Sequence, residues 1–452
     1  MAETLKRTIG VGTAWTSGST LVLKVVGLAT IFIMLRKLNV YEYGLAELVL
    51  SILGIMSIFS IPGLSPIVIA DMGIAKAKRD LRAMKELFVN FFLLQISLGF
   101  VAWAIVFFGS DIIAHYFSEH AGGLFKIVSF AFLISPFRSL FMVAFSVELK
   151  FFHRSLYSVL EEIFKLVVIW VLLYLVGLRV SAVIWSVVLS QFLVMIPMAL
   201  SLLKCTRYFR SVTLVNKKAP WSLFYDHGKW GIFATYFNSL GQNIRLWIIK
   251  VMLGTEAVGI FAVANGLLQH TVSLVNLSSV LGPILPQHVN DKERFARIAT
   301  KAIKYQVFAF VCTAIVAYFI FVPIVAWMFP NYLESLPLFR AMLPVVISLG
   351  FATVFTPMFA ALQAQKSLFW AISVKTVMIL LLLPVSLFYF GIMGVAYEFF
   401  LTTMIFVFER YRALKRVLPG FSIRIRRFFE FDTEDAVILD RIKIKLIGYL
   451  NK

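Results

Sequence analysis

Long apolar segments separated by short polar turns dominate this sequence. A helix needs about 20 mainly apolar residues to cross the hydrocarbon core of a bilayer. Twelve segments approach or exceed this length, namely 9–35, 41–66, 87–109, 124–147, 157–177, 179–203, 227–251, 255–285, 303–328, 336–362, 368–388 and 391–409. Hydrophobic residues make up 60% of the chain. The sequence therefore predicts an all-α polytopic membrane protein with twelve transmembrane helices.

Basic residues follow the even-numbered segments far more often than the odd-numbered ones. The odd turns hold little beyond Arg36, Lys37 and Arg179, whereas the turn after the second segment alone holds Lys76, Lys78, Arg79, Arg82 and Lys85. We also assign Arg410 and the basic residues after it to a cytoplasmic tail. Lys and Arg accumulate in cytoplasmic loops. We therefore predict a multi-pass protein of the inner membrane with both termini in the cytoplasm.

The net charge of +20 would suggest a nucleic-acid partner in a soluble protein. Here the topology already explains the charge, because basic cytoplasmic loops also attract anionic lipid headgroups. We therefore expect membrane lipid, and no nucleic acid, among the partners.

The second half of the sequence repeats features of the first. Trp15 corresponds to Trp230 and Gly44 to Gly259 at one offset of 215 residues. These matches fall on Trp and Gly at the edges of segments rather than on interchangeable Leu and Val. Each half would contain six segments, an even number, so both halves begin on the same side of the membrane. The pattern predicts two parallel six-helix lobes around a central cavity.

The repeat and the charge pattern together divide the chain into four parts. We predict an N-terminal lobe at 1–204, a cytoplasmic linker at 205–222, a C-terminal lobe at 223–415 and a basic cytoplasmic tail at 416–452. In the tail, apolar and basic residues alternate, which is typical of an element that lies on the membrane surface.

Polar residues recur at helical spacing inside several apolar segments. The first segment carries Thr13, Ser17, Thr20 and Lys24, the seventh carries Thr235, Asn238, Gln242 and Arg245, and the eighth carries Asn265 and Gln269. Residues at this spacing share one face of a helix. We predict that these faces line the shared cavity and bind substrate. For the Ser and Thr residues, hydrogen bonding between packed helices is an equal alternative.

Isolated charges within the segments point to the same cavity. Lys24 and Arg245 have no acidic residue within about a turn on their own segments, and a charge in hydrocarbon normally faces protein or water. Arg138, which follows Pro136, is a third candidate for substrate binding.

Other intramembrane charges are predicted to neutralise one another. Glu161 and Lys165 have the favourable i, i+4 spacing on one helix. Glu398 and Lys375 lie at depths that allow an ion pair between the last two segments, with a protonatable ion-coupling site as the alternative.

The sequence contains none of the common motifs of enzyme chemistry. It has no Walker loop, no GxGxxG, no HExxH and no GxSxG, and no clustered Cys and His. We therefore expect a protein that is not an enzyme and that needs no metal and no cofactor.

Several short motifs resemble those of a known transporter superfamily. These are the Gly12 to Trp15 start, Leu35-Arg36-Lys37-Leu38, Tyr43-Gly44 and Gly63-Leu64-Ser65. Over about residues 1–415 the chain resembles the polysaccharide-transporter branch of the multidrug/oligosaccharidyl-lipid/polysaccharide exporter superfamily, which includes O-antigen and exopolysaccharide flippases.

This resemblance implies a flippase that moves undecaprenyl-diphosphate-linked oligosaccharide across the cytoplasmic membrane by alternating access. Such a protein would serve lipopolysaccharide or exopolysaccharide biosynthesis, with a polysaccharide polymerase and glycosyltransferases as partners. The resemblance also implies a cavity lined by the first two helices of each lobe.

Three other functions are considered. A drug/cation antiporter would need anionic cavity residues, in contrast to Lys24 and Arg245. A lipid II flippase usually has two further helices. A membrane-embedded sugar polymerase or ligase would be expected to have a large external loop, and no such loop separates the segments.

Overall fold

A computed structural model describes residues 2–60, 64–117, 121–206, 229–274, 281, 285–289, 291–418 and 421. The predicted linker 205–222 and tail 416–452 lie almost entirely outside this set. The limits of these two parts therefore stay predictions.

The N-terminal half of the described chain is a succession of helices in the predicted order. They are α1 Ala2–Lys37, α2 Val40–Ile55, α3 Leu64–Ala77, α4 Leu81–Phe117, α5 Gly122–Val147, α6 Phe151–Tyr174 and α7 Val180–Cys205. The second predicted segment is a broken span, because α2 passes into a 3-10 turn at Met56–Ser60 before α3 begins. At its start, α2 is fixed by a capping box, in which Asn39 and Glu42 satisfy each other's backbone N–H groups.

The C-terminal half has a similar succession. Its described helices are α8 Lys229–Leu253, α9 Thr255–Ser273, α10 Lys292–Met328, α11 Ser335–Met342, α12 Val345–Ala361, α13 Gln365–Phe390 and α14 Gly394–Val417. A bend of 54° separates α11 from α12 within the tenth predicted segment. The twelfth predicted segment ends too early, at 409, since α14 continues to Val417 and includes Arg410, which therefore belongs to the helix and not to the tail that follows it.

Hydropathy alone identifies only some of these spans. Six of the described helical stretches are long and apolar enough to cross a membrane, and the bent pair α11 and α12 makes a seventh. One of the six stretches, Gln365–Val417, contains two helices that pack side by side. Other predicted spans carry charges in their interior, as α6 does at Glu161 and Lys165 and α8 does at Arg245.

The two halves pack their helices in the same way. In the N-terminal lobe α1 packs on α6, α6 on α7, α5 on α7 and α4 on α5, and the same four relations join α8 to α13, α13 to α14, α12 to α14 and α10 to α12. The Trp residues of the repeat also have equivalent neighbours. The ring of Trp15 lies 4.7 Å from that of Phe152 on α6, and the ring of Trp230 lies 5.2 Å from that of Phe369 on α13.

Turns at the helix ends repeat as well. Leu149 after α5 and Gln363 after α12 both have positive φ, at 54° and 53°. In each turn the next backbone N–H donates to the carbonyl five residues earlier, at 2.8 Å in the first lobe and 3.0 Å in the second. This is the Schellman pattern of helix termination, which usually uses glycine. Its occurrence without glycine at equivalent places supports a duplicated chain.

The lobes meet most closely where α2 crosses α9. A methyl group added to Gly44 would overlap the carbonyl oxygen of Thr255, and one added to Gly259 would overlap the carbonyl oxygen of Val40. The contact is reciprocal, because Val40 and Gly44 correspond to Thr255 and Gly259 at the offset of 215 residues. Only glycine permits backbones to approach this closely. The two lobes are therefore related by an approximate two-fold axis through this crossing.

Further hydrogen bonds join the lobes near the crossing. The Tyr332 hydroxyl, which follows α10, donates to the carbonyl oxygens of Leu38 and Asn39 at 3.0 and 3.2 Å. Deeper in the interface, the Trp247 indole N–H of α8 donates to the Ser51 hydroxyl of α2 at 2.6 Å. These contacts close the lobes together at the end where α1 turns into α2 and α8 turns into α9.

Candidate functional site

A polar cavity lies inside the C-terminal lobe. It has a volume of about 420 Å³, and residues of α8, α9, α12, α13 and α14 form its walls. We call it the C-lobe cavity. The predicted amides Asn238 and Gln242 of α8 and Asn265 and Gln269 of α9 all line it. Each pair is spaced i, i+4, which places both side chains on one face of its helix.

A second cavity lies between the lobes. This inter-lobe cavity has a volume of about 380 Å³ and is walled by α1, α2, α6, α7, α8 and α9. Glu47, Glu162 and Lys165 contribute charges to its wall. Gln242 and Asn265 line both cavities, so the amides mark the place where the two spaces adjoin.

Arg245 reaches the C-lobe cavity but is already neutralised. It is 2% exposed, its Nε lies 3.0 Å from Oε2 of Glu398, and its Nη2 lies 2.9 Å from Oε1 of the same carboxylate. The Thr402 hydroxyl donates to that carboxylate at 2.9 Å. The interpretation of Arg245 as an unpartnered cation is therefore wrong, because its acid stands on α14 and not on its own helix.

The predicted ion pair between Glu398 and Lys375 is also wrong, because Glu398 pairs with Arg245 instead. Glu398 is fully buried against Arg245, whereas the ammonium of Lys375 lies 4.7 Å from the ring centroid of Phe406. Lys375 lines the C-lobe cavity and has no hydrogen bond or ion pair with another described residue. A guanidinium is a better match than an ammonium for a two-oxygen acceptor, which explains the choice of partner.

Arg410 is a cavity residue that sequence reasoning missed. It is 5% exposed and lines the C-lobe cavity from α14. The sequence carried a partial signal, since Thr402 and Arg410 are eight residues apart and so lie near the same face of a helix, but the predicted last segment ended before Arg410. The same spacing rule identified the faces of the first and seventh segments.

Lys24 lines neither of the two cavities. Its half-buried ammonium donates to the backbone carbonyl of Ser273, across the lobe interface at the C-terminal end of α9. The last carbonyls of a helix carry partial negative charge, so they attract a cation. The role of Lys24 in substrate binding stays a prediction, and the side chains of Thr13 and Ser17 lie outside the described ones.

Arg138 also lines neither of these two cavities, and its role in substrate binding stays a prediction. Its Nε lies 2.8 Å from Oε2 of Glu161, which joins α5 to α6. Lys165 instead approaches Glu162, at 3.7 Å. The predicted pair of Glu161 and Lys165 is therefore wrong: with a guanidinium available on the adjacent helix, Glu161 pairs with it. In the described part of the chain no three His, Cys, Asp or Glu side chains gather closely enough to hold a metal ion.

Comparison with known protein families identifies the family of this chain. A model of the family described as "Polysaccharide biosynthesis protein" matches residues 33–336, which is most of the chain. The chain belongs to this family. A comparison with curated protein sequences found no match.

Several solved structures have a fold similar to that of this chain. An inward-facing multidrug resistance MATE family transporter of the MOP superfamily aligns with a TM-score of 0.73 and 13% identity, covering 87% of this chain and 94% of that one. The lipid II flippase MurJ in an inward closed conformation aligns with a TM-score of 0.73 and 15% identity, covering 95% and 92%. An outward-facing MATE transporter aligns with a TM-score of 0.60 and 14% identity, covering 88% of this chain and 95% of that one.

These alignments confirm the predicted fold class. The chain is an all-α membrane protein with the two-lobe fold of the MOP-superfamily transporters. Within that fold, the C-lobe cavity combines a row of amides with Arg245, Lys375 and Arg410, while Glu398 is the acid that pairs with one of them. The site is suited to holding a polar, anionic molecule in the membrane.

Proposed function

We propose that this protein is a flippase that carries undecaprenyl-diphosphate-linked oligosaccharide across the cytoplasmic membrane for the biosynthesis of cell-surface polysaccharide. The row of four amides carries the proposal. Asn238, Gln242, Asn265 and Gln269 project into a cavity enclosed by membrane helices. Amide groups both donate and accept hydrogen bonds, as sugar hydroxyls do. Such polar groups would fix the orientation of a bound oligosaccharide.

The charge of the cavity supports an anionic substrate. Arg245, Lys375 and Arg410 line it, and in the described part of the chain the acid that pairs with Arg245, Glu398, is fully buried. A diphosphate leaving water needs compensating positive charge. A drug or cation antiporter would instead need a carboxylate that faces the cavity. Glu47 and Glu162 face the inter-lobe cavity, whereas the charges of the C-lobe cavity favour a lipid-linked diphosphate over an organic cation.

The closed crossing of α2 and α9 supports alternating access. Under the predicted topology the crossing lies on the extracytoplasmic side, because it follows the first and seventh segments. The C-lobe cavity extends in the opposite direction, toward Gly231 and Gln365, which lie in the first turns of α8 and α13. A cavity closed outside and extended toward the cytoplasm suits the loading of a substrate that is made inside the cell.

Transport in reconstituted vesicles tests the proposal. The purified protein is placed in liposomes that contain a fluorescent undecaprenyl-diphosphate oligosaccharide, and exposure of the sugar on the other leaflet is measured with an impermeant quencher. The double variant Gln242→Ala with Asn265→Ala should lower the rate about ten- to a hundredfold, because two hydrogen bonds of about 1 kcal/mol or more are lost. Gln191→Ala is the matched control, since this amide of α7 lines neither cavity.

The same vesicles distinguish the alternatives. Undiminished transport by the double variant would show that Gln242 and Asn265 do not bind the substrate. Movement of lipid II in place of the oligosaccharide, or of a cationic dye against protons, would replace the proposed substrate by that of another transporter type.

A further inference from the structure

One buried arginine that faces the C-lobe cavity, Arg410, has no acidic partner among the described residues. Nη1 of Arg410 donates to the carbonyl oxygen of Ala352 at 2.8 Å and to the hydroxyl of Thr356 at 2.9 Å, and both acceptors are neutral. Its Nε has no hydrogen-bond partner among the described residues, although the side chain is 5% exposed. Arginine does not lose its proton in proteins. A full positive charge is therefore held inside the lobe with a free donor.

A second cation lies beside the same aromatic ring. The guanidinium carbon of Arg410 is 4.0 Å from the ring centroid of Phe406, and the ammonium of Lys375 is 4.7 Å from it. Contact with one ring offsets part of the cost of burying a cation, but that cost is larger and like charges repel each other. Both oxygens of Glu398 are bonded to Arg245, so among the described residues this carboxylate makes no hydrogen bond or ion pair with Arg410 or Lys375.

The surroundings of these cations offer further hydrogen bonds. The amide of Gln365 on α13 lines the cavity together with Arg410 and Lys375. Thr353 and Thr356 of α12 line it as well, but in this structure their hydroxyls donate to the carbonyl oxygens of Gly350 and Ala352. Guanidinium, ammonium, hydroxyl and amide groups are the donors that bind phosphate oxygens in proteins, and charge-assisted bonds of this kind are the strongest. The cavity therefore has two different walls. Hydrogen-bond donors and positive charge lie on α13 and α14, and the row of amides lies on α8 and α9.

We propose that Arg410 and Lys375 form an anion subsite that binds a phosphate of the substrate. The inference rests on the proposed function and deepens it, because it separates the site into two parts. The diphosphate binds between α13 and α14, and the sugars extend toward the amides of α8 and α9. Lys24 and Arg245, the cations singled out by the sequence, already hold Ser273 and Glu398.

Binding of undecaprenyl diphosphate without a sugar tests the subsite directly. The full-length protein is purified in nanodiscs of zwitterionic lipid, and binding of the probe is measured by native mass spectrometry. Arg410→Gln should weaken binding at least about tenfold, and Lys375→Gln should weaken it by a smaller factor, because loss of a charge-assisted hydrogen bond costs about 1.5 to 3 kcal/mol. Arg410→Lys should fall between wild type and Arg410→Gln, since it keeps the charge and loses the fork.

Arg412→Gln is the matched control. It lies on the same helix two residues later, its side chain is 58% exposed, and it approaches Glu409 at 3.8 Å. Its binding of the probe should equal that of the wild type. Thermal unfolding of each variant shows whether it is folded, and Lys375→Gln provides an independent test if Arg410→Gln does not fold. Wild-type binding by folded Arg410→Gln and Lys375→Gln would overturn the subsite.

Two further probes identify the source of the phosphate. Phosphatidylglycerol and inorganic diphosphate are titrated against undecaprenyl diphosphate. Preference for undecaprenyl diphosphate that is lost in Arg410→Gln supports the substrate assignment, whereas equal binding of phosphatidylglycerol with the same sensitivity would assign the site to a membrane lipid and overturn it.

The transport assay separates the two proposals. If the amide variants lose transport while Arg410→Gln binds the probe normally, the flippase function stands and the subsite fails. If Arg410→Gln loses the probe but the wild type moves no oligosaccharide, the subsite stands and the proposed function fails.

Discussion

Removing the carboxylate of Glu398 should strongly destabilise the C-terminal lobe. The side chains of Arg245 and Glu398 are 3% and 0% exposed and share two hydrogen bonds, of 2.9 and 3.0 Å. Glu398→Ala leaves a buried guanidinium whose remaining polar partner, among the described residues, is the Thr402 hydroxyl. Breaking one side of a buried pair costs about 3 to 5 kcal/mol. We expect a loss of this size in the free energy of unfolding.

A double variant shows that the loss comes from the orphaned charge. Arg245→Met combined with Glu398→Leu removes both charges and keeps a comparable volume, so most of the lost stability should return. The measurement is SDS-induced unfolding in bicelles, followed by tryptophan fluorescence, for the wild type, both single variants and the double variant. The double-mutant cycle then gives the coupling energy of the pair.

A loss below about 1 kcal/mol in Glu398→Ala would show that the pair is not coupled as a buried ion pair should be. A double variant that is no more stable than the single variants would also show that Arg245 and Glu398 are not coupled in this way. Transport adds a second readout, because Arg245→Lys should be tolerated better than Arg245→Gln. If the double variant is stable but inactive, the charge of Arg245 also serves the substrate, as its position in the seventh segment suggested.

Other contacts give further expectations. Gly44→Val should abolish transport without preventing membrane insertion, because its side chain would separate α2 from α9; a folded and fully active variant would exclude a tight crossing. Tyr332→Phe should weaken closure by about 1 to 2 kcal/mol through the loss of hydroxyl bonds to backbone carbonyls, measured as faster thiol labelling at the interface; unchanged labelling would contradict this. Lys24→Gln should reduce export of lipid-linked oligosaccharide at normal protein levels, and normal export would make the contact with α9 dispensable. Cysteines introduced at Lys78 and Lys292, after replacement of the native ones, should react with impermeant reagents only from the cytoplasm, and labelling from outside would invert the topology.

Much of the fold follows from patterns that are local in the sequence. Apolar length and turn residues predicted the order of the helices, and the offset between Gly44 and Gly259 predicted the repeat, although not that these two positions meet. The amides were also predictable, because the i, i+4 spacing of Asn238 and Gln242 fixes their common face before any neighbour is known.

Charge pairing was less predictable because it depends on which helices become neighbours. Arg245 and Glu398 are 153 positions apart, and nothing near either residue identifies the other. Arg138 and Glu161 likewise meet across two helices. Arg410 was misplaced for another reason, since Glu409, Arg412 and the basic residues around it lower the hydropathy of the last turns of α14. Only packing against α12 shows that one of these charges is turned inward.

The reciprocal contact of Gly44 and Gly259 has the geometry of an isologous dimer interface. In such an interface, residue i of one subunit meets residue j of the other, and j meets i. Here Val40 meets Gly259 and Gly44 meets Thr255, although all four belong to one polypeptide. The duplicated chain thus preserves a subunit boundary within itself. The two sides of this boundary need not stay identical, and in the C-terminal half three basic side chains, Arg245, Lys375 and Arg410, surround a cavity.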